Sequence, residues 1–249
     1  MRVSPSLFMF RVLRSSGVIS PYRRVKKDGF AGETRYKERL VILRSYDTMG
    51  AGAIVRIPDC RYARTGIGGM AMWLAEVKAK AKRRNQILFG VNNPLLVEVR
   101  WLVAGANRRE LILWALELAE ETVCELESIY PGDHRPREAV EAARTWAAGE
   151  IKMPLAKRAI LDCHAMAREL ADPADIARCH AVGQACSVVH TEGHAMGYPI
   201  YELTALVREL GLEDCRTAVE ARVRDYEQQL RLWTEREQTD CRDWADFLR

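Results

Sequence analysis

Histidine is the residue type best suited to chemistry in this chain, and four of its five copies lie within about 31 residues. They are His164, His180, His190 and His194. His190 and His194 are four residues apart, so on one helix both side chains point to the same side, at a separation that suits a shared metal ion. The only acid between them, Glu192, does not follow the first histidine directly, as the general base of a zinc-protease helix does. The pattern therefore lacks the acid that a zinc hydrolase needs.

The small residues around these histidines favour a structural interpretation. Gly183, Ala185, Ser187 and Ala195 let two helices approach closely, and neutral histidines can bridge such a contact through hydrogen bonds. Helix packing is therefore the favoured interpretation. A metal site remains one alternative, and a pH-sensitive or recognition role is another. We predict no bound metal, no other cofactor and no catalytic residue.

The other motif searches give little support for an enzyme. The chain has no GxSxG sequence, phosphate-binding loop, dinucleotide fingerprint or paired carboxylate motif. Its seven cysteines are an odd number and are widely spaced without a CxxC pair, which indicates free thiols in a reducing cytoplasm. No run of 18 or more apolar residues is present, so no membrane-spanning helix is expected.

The second half of the chain carries the helical signals that must position the histidines. Asn107 and Glu110 have the spacing of a capping box at a helix start, and Gly149 and Gly211 are expected helix stops. Five of the tryptophans lie on apolar faces and are predicted core residues: Trp101, Trp114, Trp146, Trp233 and Trp244. The apolar spacing predicts six antiparallel helices, over about 107–130, 136–148, 154–171, 173–196, 200–210 and 213–247.

The first part of the chain is basic and gives weaker structural signals. Residues 1–100 hold 20 Lys and Arg against 7 Asp and Glu, whereas residues 101–249 hold 18 against 27. A helix is expected over residues 70–89, with no element predicted before it. Three interpretations of the start stay open: a solvated basic tail, a gene-start artefact with Met70 or Met72 as the initiator, or an organelle transit peptide. We therefore divide the chain into a weakly ordered basic segment, 1–90, and a helical domain, 91–249.

Several spaced motifs resemble the bacterial putative immunity protein family over about residues 107–248. The matching stretches are D-H-R-P-R-E-A-V at 133–140, A-R-T-W-A-A-G at 143–149, and C-H-A-M-A-R at 163–168. A final alternation of histidine and alanine includes Val189-His190 and His194-Ala195. Gly183-Gln184-Ala185 departs from the family pattern, where Gly-His-Ala is expected. The residues that carry the resemblance are Asp133, Arg135, Pro136, Arg144, Trp146, Gly149, His164, Arg168, His190 and His194.

The resemblance implies an all-α fold, either an antiparallel helical bundle or an irregular helical array. It also implies a protein that neutralises a cognate toxin through direct protein–protein binding. The motif residues have structural interpretations of their own. Arg135 and Arg144 can pair with helix-borne acids, Asp133 can cap a helix, Trp146 can fill the core, and Gly149 permits a left-handed turn.

Three functions are therefore compared. A toxin antagonist is the leading hypothesis, with the acidic residues Glu227, Glu235 and Asp240 predicted to contact a cationic partner surface. A metal-dependent enzyme using the histidines is the first alternative. A nucleic-acid-binding protein using the basic residues at 78–84 and 23–27 is the second, although nucleic acid is not the expected partner. We expect no membrane partner, and the sequence does not indicate the oligomeric state.

Overall fold

The computed structural model describes residues 68–237 and 241–249, and every regular element in these ranges is helical. The predicted all-α fold is confirmed. Three 3-10 turns, Pro94–Leu96, Glu192–His194 and Asp246–Leu248, supplement the helices. The eight helices are α1 (Gly68–Lys82), α2 (Val97–Gly105), α3 (Arg108–Ile129), α4 (Arg135–Ala147), α5 (Met153–Met166), α6 (Pro173–Ser187), α7 (Gly197–Leu210) and α8 (Arg216–Arg236). No helix within the described ranges is both long enough and apolar enough to cross a membrane.

The local start and stop signals operate as the sequence predicts. The Asn107 side chain accepts the backbone N–H groups of Arg109 and Glu110 at 2.9 and 3.0 Å, and the Glu110 carboxylate accepts the N–H of Asn107 at 3.1 Å. Gly149 and Gly211 both have φ of +83°, a conformation that favours glycine because it lacks Cβ. These residues end α4 and α7 where expected.

Two long helices end earlier than the periodicity predicts. The helix expected over 173–196 ends at Ser187, and a turn with an extended Thr191 (φ −148°) leads into a separate 3-10 turn. The helix expected to reach residue 247 ends at Arg236. Apolar spacing continues across both breaks, so periodicity alone does not show that the backbone direction changes.

The beginning of the described region also differs from the sequence analysis. The predicted helix at 70–89 is shorter, α1 ends at Lys82, and α2 was not predicted at all. Trp73 and Phe89 are buried and stack with ring centroids 6.0 Å apart. The Trp73 indole donates to Glu220 of α8 at 3.3 Å, so residues before 91 pack with the helical domain. The proposals for residues 1–67 lie outside the described residues.

The tryptophan predictions are correct only in part. Trp114, Trp146 and Trp244 are buried, as expected for core residues, and Trp233 is partly exposed. The prediction that Trp101 is a core residue is wrong, because this tryptophan lies on α2 with 66% of its surface exposed. Its helix has only nine residues, too short a window for periodicity to identify the buried face.

Helix α3 contacts α4, α6, α7 and α8, and its six glutamates all bond to neighbouring side chains. Glu125 pairs with Arg178 of α6 at 3.0 Å. Glu121 pairs with Arg222 of α8 at 2.8 Å. The remaining bonds join Glu110 to Thr234, Glu117 to the Trp233 indole, Glu120 to Arg137 and Arg144, and Glu127 to Arg137.

The C-terminal residues close over the end of α4. Ala245 donates its backbone N–H to the carbonyl of Ala147 at 2.8 Å, and a Cβ on Gly149 would meet the Ala245 Cα at 3.2 Å. Arg109 of α3 donates to the Leu248 carbonyl at 2.7 Å. Gly149 is therefore required for two reasons, the positive φ and the close approach of the C-terminal chain.

We predict that Arg222→Met lowers the free energy of unfolding by about 3 kcal/mol, because it leaves two largely buried carboxylates without their cation. These are Glu121 and Glu202, whose side chains are 11% and 17% exposed. The matched control is Arg224→Met, an exposed position two residues along α8, which should change stability by less than about 0.5 kcal/mol.

Urea unfolding at neutral pH provides the measurement. Equal losses for the two variants would contradict a stabilising role for this ion-pair group.

Candidate functional site

Two of the histidines that carry the family resemblance, His164 and His194, bond to side chains of α6. His164 near the end of α5 and His180 of α6 form a pair, with their Nδ1 atoms 2.9 Å apart. The His180 ring also packs against Tyr201 of α7, with ring centroids 5.2 Å apart. Since one Nδ1 must donate and the other accept, the two neutral rings adopt opposite tautomers. One hydrogen bond therefore joins the two rings, which are both partly exposed.

Glycines allow the side chains to pack closely on both sides of α6. A Cβ at Gly183 would lie 2.4 Å from two atoms of the His164 ring, so this ring rests directly on the α6 backbone. A Cβ at Gly197 would lie 2.5 Å from the Gln184 amide oxygen, which also bonds to His194 Nδ1 at 2.8 Å. The predicted role of small residues is therefore seen at Gly183.

The environment of the histidines favours their neutral forms. Burial lowers the pKa of His164 to about 4, and the neighbouring His180, His194 and Arg168 act in the same direction. The pKa of His180 is lowered by burial and by Arg168. Burial and His190 lower the pKa of His194. None of these contributions comes from a carboxylate.

The predicted arrangement of His190 and His194 on one helix is wrong, because α6 ends before both residues. The exposed His190 stacks on Trp146 with ring centroids 6.1 Å apart, whereas His194 lies in the 3-10 turn and bonds to Gln184. In the part of the chain that the structure describes, no group of three or more His, Cys, Asp or Glu side chains could hold a metal ion.

The D-x-R-P-R motif forms the start of α4. Arg135 makes a bidentate contact with Asp133 and a second one with Glu169, with the shortest distances both 2.6 Å. Its hydrogen bond lowers the pKa of Asp133. The predicted cap differs in detail, because the N-cap residue is His134, although Asp133 accepts the Arg135 backbone N–H at 3.2 Å. Pro136 is buried in the first turn.

The A-R-T-W-A-A-G motif at 143–149 joins α4 to its neighbours. Arg144 pairs with Glu120 at 2.8 Å, as predicted for a helix-borne acid. Trp146 is 7% exposed and lies between His190 and Phe247. Gly149 has no side chain, which lets Ala245 of the C-terminal segment pack closely against it. These residues hold the helices together and make no arrangement of nucleophile and base.

The predicted partner-binding acids differ in their surroundings. Glu227 is partly buried, and burial together with Glu98 raises its pKa to about 6. Glu235 is exposed, and Asp240 lies outside the described residues. Helix α8 carries five arginines and four acids, so it is not an acidic helix as a whole.

The basic residues of α1 do not form a continuous free surface. Lys78 pairs with Glu213 at 2.8 Å and Lys80 with Glu76 at 2.7 Å. Two of the basic residues at 78–84, which were predicted to bind nucleic acid, are therefore paired with acids of the same protein. Its other part, residues 23–27, lies outside the described residues.

Sequence reasoning missed several residues of the site. Tyr201 gave no signal, since nothing in the sequence places α7 beside His180. Glu169, the second partner of Arg135, gave no signal either, since nothing in the sequence places it beside the start of α4. Gln184 was noted only as a departure from a family pattern, yet it links His194 to α6.

These features define an all-helical domain in which the motif residues bond mainly to other parts of the same protein. The model of the Imm-5 like putative immunity protein family matches residues 102–229, which is 128 of the 249 residues. The chain therefore belongs to this family, and the resemblance inferred from its motifs is confirmed. Neither the curated proteins nor the solved structures include a match to the chain.

We predict that the domain loses stability as the pH falls from about 6.5 towards about 4, in part through His164. The unfolded chain binds a proton at His164 more readily than the folded chain does, so stability decreases on acidification. His164→Gln cannot titrate and should lose about 1 to 2 kcal/mol less than the wild type between about pH 7 and pH 4.5. Urea unfolding across this range measures the difference.

The control is His134→Gln, which changes an exposed histidine at the start of α4. It tests whether removing a histidine outside the His164–His180 pair changes the pH slope. If His164→Gln has the same slope as the wild type, the histidine pair does not contribute to acid sensitivity.

We also predict that the purified protein carries less than one zinc ion per chain. The family pattern expects a histidine where Gln184 stands, and Arg168 is a cation close to the His164 and His180 rings. Elemental analysis after gel filtration tests this. One zinc per chain that is lost in His190→Ala or His164→Ala would show that the histidines do bind metal.

Proposed function

We propose that this protein neutralises a cognate bacterial toxin by binding it directly, with no catalytic step of its own. The observation that carries the proposal is membership of the immunity protein family over residues 102–229. An inhibitor of this kind needs a stable surface that complements the toxin, and it does not need a reactive group.

The contacts of the motif residues support a role as a framework. Asp133, Arg135, Arg144, Trp146 and Gly149 all bond to or pack against other elements of the same domain. Such residues fix the relative positions of the helices. Recognition of a toxin would then fall to exposed side chains on the outer surface of this framework.

The charge of the domain gives a physical basis for attracting a toxin. Residues 68–249 carry 24 Lys and Arg and 29 Asp and Glu, a net formal charge of −5. Internal ion pairs do not change this sum, so residues 68–249 keep an excess of negative charge, although residues 1–67 bring the formal net charge of the whole chain to +4. A negative field accelerates encounter with a cationic protein surface, such as that of an enzyme that grips phosphate groups.

We place the toxin contact near Glu227 and Glu235 of α8, together with Asp240. Glu235 is exposed, while the carboxylate of Glu227 lies near that of Glu98. A cation from the toxin would relieve the repulsion between Glu98 and Glu227, and would thereby favour ionisation of Glu227. Association should consequently weaken as the pH falls below about 6.

We predict that the full chain binds the toxin domain encoded beside its gene, and that association slows as salt rises from about 50 mM to about 500 mM. Reversal of Glu227, Glu235 and Asp240 to lysine should reduce the association rate by about tenfold or more, with the fold intact. Stopped-flow fluorescence measures the rate, and circular dichroism checks the fold.

A matched control reverses Glu138, Glu141 and Glu150, three exposed acids on or beside α4. It changes the net charge by the same amount at a different place, so it should slow association much less. Equal slowing by both triple variants would show that only net charge matters and would remove the α8 site. Failure of the wild-type chain to bind the neighbouring toxin would contradict the function itself.

A further inference from the structure

Trp101 is exposed on α2, although tryptophan is a residue type that is highly buried on average. It shares one side of this helix with Val97 and Ala104, which lie four residues before it and three residues after it. Val97 is 38% exposed, Trp101 is 66% exposed, and Ala104 is also exposed. These three residues form an uncharged row that we call the α2 stripe. An exposed apolar row of this kind on a helix is a candidate contact surface for another molecule.

The α2 stripe lies beside the second half of α8. Two contacts hold α2 along that helix: Arg231 pairs with Glu98 at 2.6 Å, and the Asn107 side-chain amide donates to Glu237 at 3.4 Å. Glu98 precedes Trp101 by three residues, so the two occupy neighbouring positions on the surface of α2. The stripe therefore borders the face of α8 that carries Arg231.

That face of α8 presents two carboxylates without an ion pair among the described residues. Glu227 and Glu235 lie four residues before and four residues after Arg231, so all three share one side of the helix. Arg231 is already bonded to Glu98 of α2. Glu227 is partly exposed and Glu235 is exposed, so both can meet a cation from another protein.

A second group of exposed apolar residues lies on α5, where the charges differ. Leu155 is 63% exposed and Leu161 is 52% exposed. Lys157 lies exposed between them, and Arg158 pairs with Asp162 at 3.1 Å. A cationic protein surface would be repelled by Lys157 on α5, whereas it would be attracted by the acids beside the α2 stripe. Charge complementarity therefore favours α2 as the surface for a cationic partner.

We propose that the α2 stripe is the apolar centre of the toxin interface, with Trp101 inserted into an apolar pocket of the toxin. Lysine or arginine residues beside that pocket pair with Glu227 and Glu235. This inference rests on the proposed function and adds an apolar contact to its acidic one. Tryptophan is among the residues that contribute most to the binding free energy of interfaces, provided that surrounding contacts exclude water.

The apolar and acidic parts of this interface affect different rate constants. Exposed acids mainly accelerate encounter with a cationic surface, so their removal slows association. A buried tryptophan contact forms late and must be broken for release, so its removal mainly speeds dissociation. The two contributions can consequently be separated by kinetics.

The first experiment measures binding of the full chain to the toxin domain encoded beside its gene. Trp101→Ala should raise the Kd by about 30-fold or more, mainly through faster dissociation. The matched control combines Leu155→Ala with Leu161→Ala, which removes exposed apolar surface on α5 and should change the Kd by less than about twofold. All three side chains are exposed, so thermal unfolding should show that both variants keep their fold.

The second experiment uses the wild-type chain labelled with 5-fluorotryptophan and observes its six tryptophans by 19F NMR. The spectrum of Trp101→Phe assigns the resonance of Trp101. Addition of the unlabelled toxin domain should shift this resonance and remove its sensitivity to exchange of H2O for D2O, because the indole becomes buried. The resonance of Trp114, which is already buried in the core, should keep its position.

The outcomes separate this inference from the function on which it rests. If the toxin binds the wild type and Trp101→Ala with affinities within about twofold of each other, the inference is overturned and the proposed function stands. If the wild type does not bind the toxin, both are overturned. A Trp101 resonance that shifts with protein concentration before toxin is added, in a chain that elutes as a dimer, would overturn the inference in favour of a second copy of the chain.

Discussion

The fold depends on pairing the carboxylates of α3 with arginines from the helices around it. A helix with six glutamates could not be enclosed by four neighbours unless each charge had a partner, because desolvating an isolated carboxylate costs several kcal/mol. Arginines pair with four of the six glutamates and come from three helices: Arg137 and Arg144 of α4, Arg178 of α6 and Arg222 of α8. The other two, Glu110 and Glu117, accept hydrogen bonds from Thr234 and the Trp233 indole. The charges thus fix which neighbour faces which turn of α3.

This pairing changes how the acidic composition of the domain should be interpreted. An excess of acid in a sequence suggests an acidic surface, yet Glu121 and Glu125 are largely inside and neutralised by contact. Only the long-range field follows the net charge, while local recognition follows the charges that remain exposed. Helix α8 illustrates the difference, because it carries five arginines beside its four acids.

Local signals were sufficient for part of the fold, because capping and helix termination depend on residues close in sequence. The Asn107–Glu110 box and the stops at Gly149 and Gly211 were predictable for that reason. The break after Ser187 was not, since apolar spacing continues across a turn whose direction is set by packing between α6 and α7. The ion pairs of α3 were equally hidden, because their partners lie up to about 100 residues away.

The candidate site shows the same division between local and distant information. The sequence identified His164 and Arg168 as members of one motif, C-H-A-M-A-R at 163–168. It could not show that His180 would meet His164, or that Arg135 would occupy Glu169 and leave Arg168 without an acid. Most motif residues consequently act inside the protein, while Arg168 alone presents an unpaired charge to solvent among the described motif arginines. The contacts of His164 and Glu169 join residues that only the packing of the helices brings together, so no local pattern could indicate them.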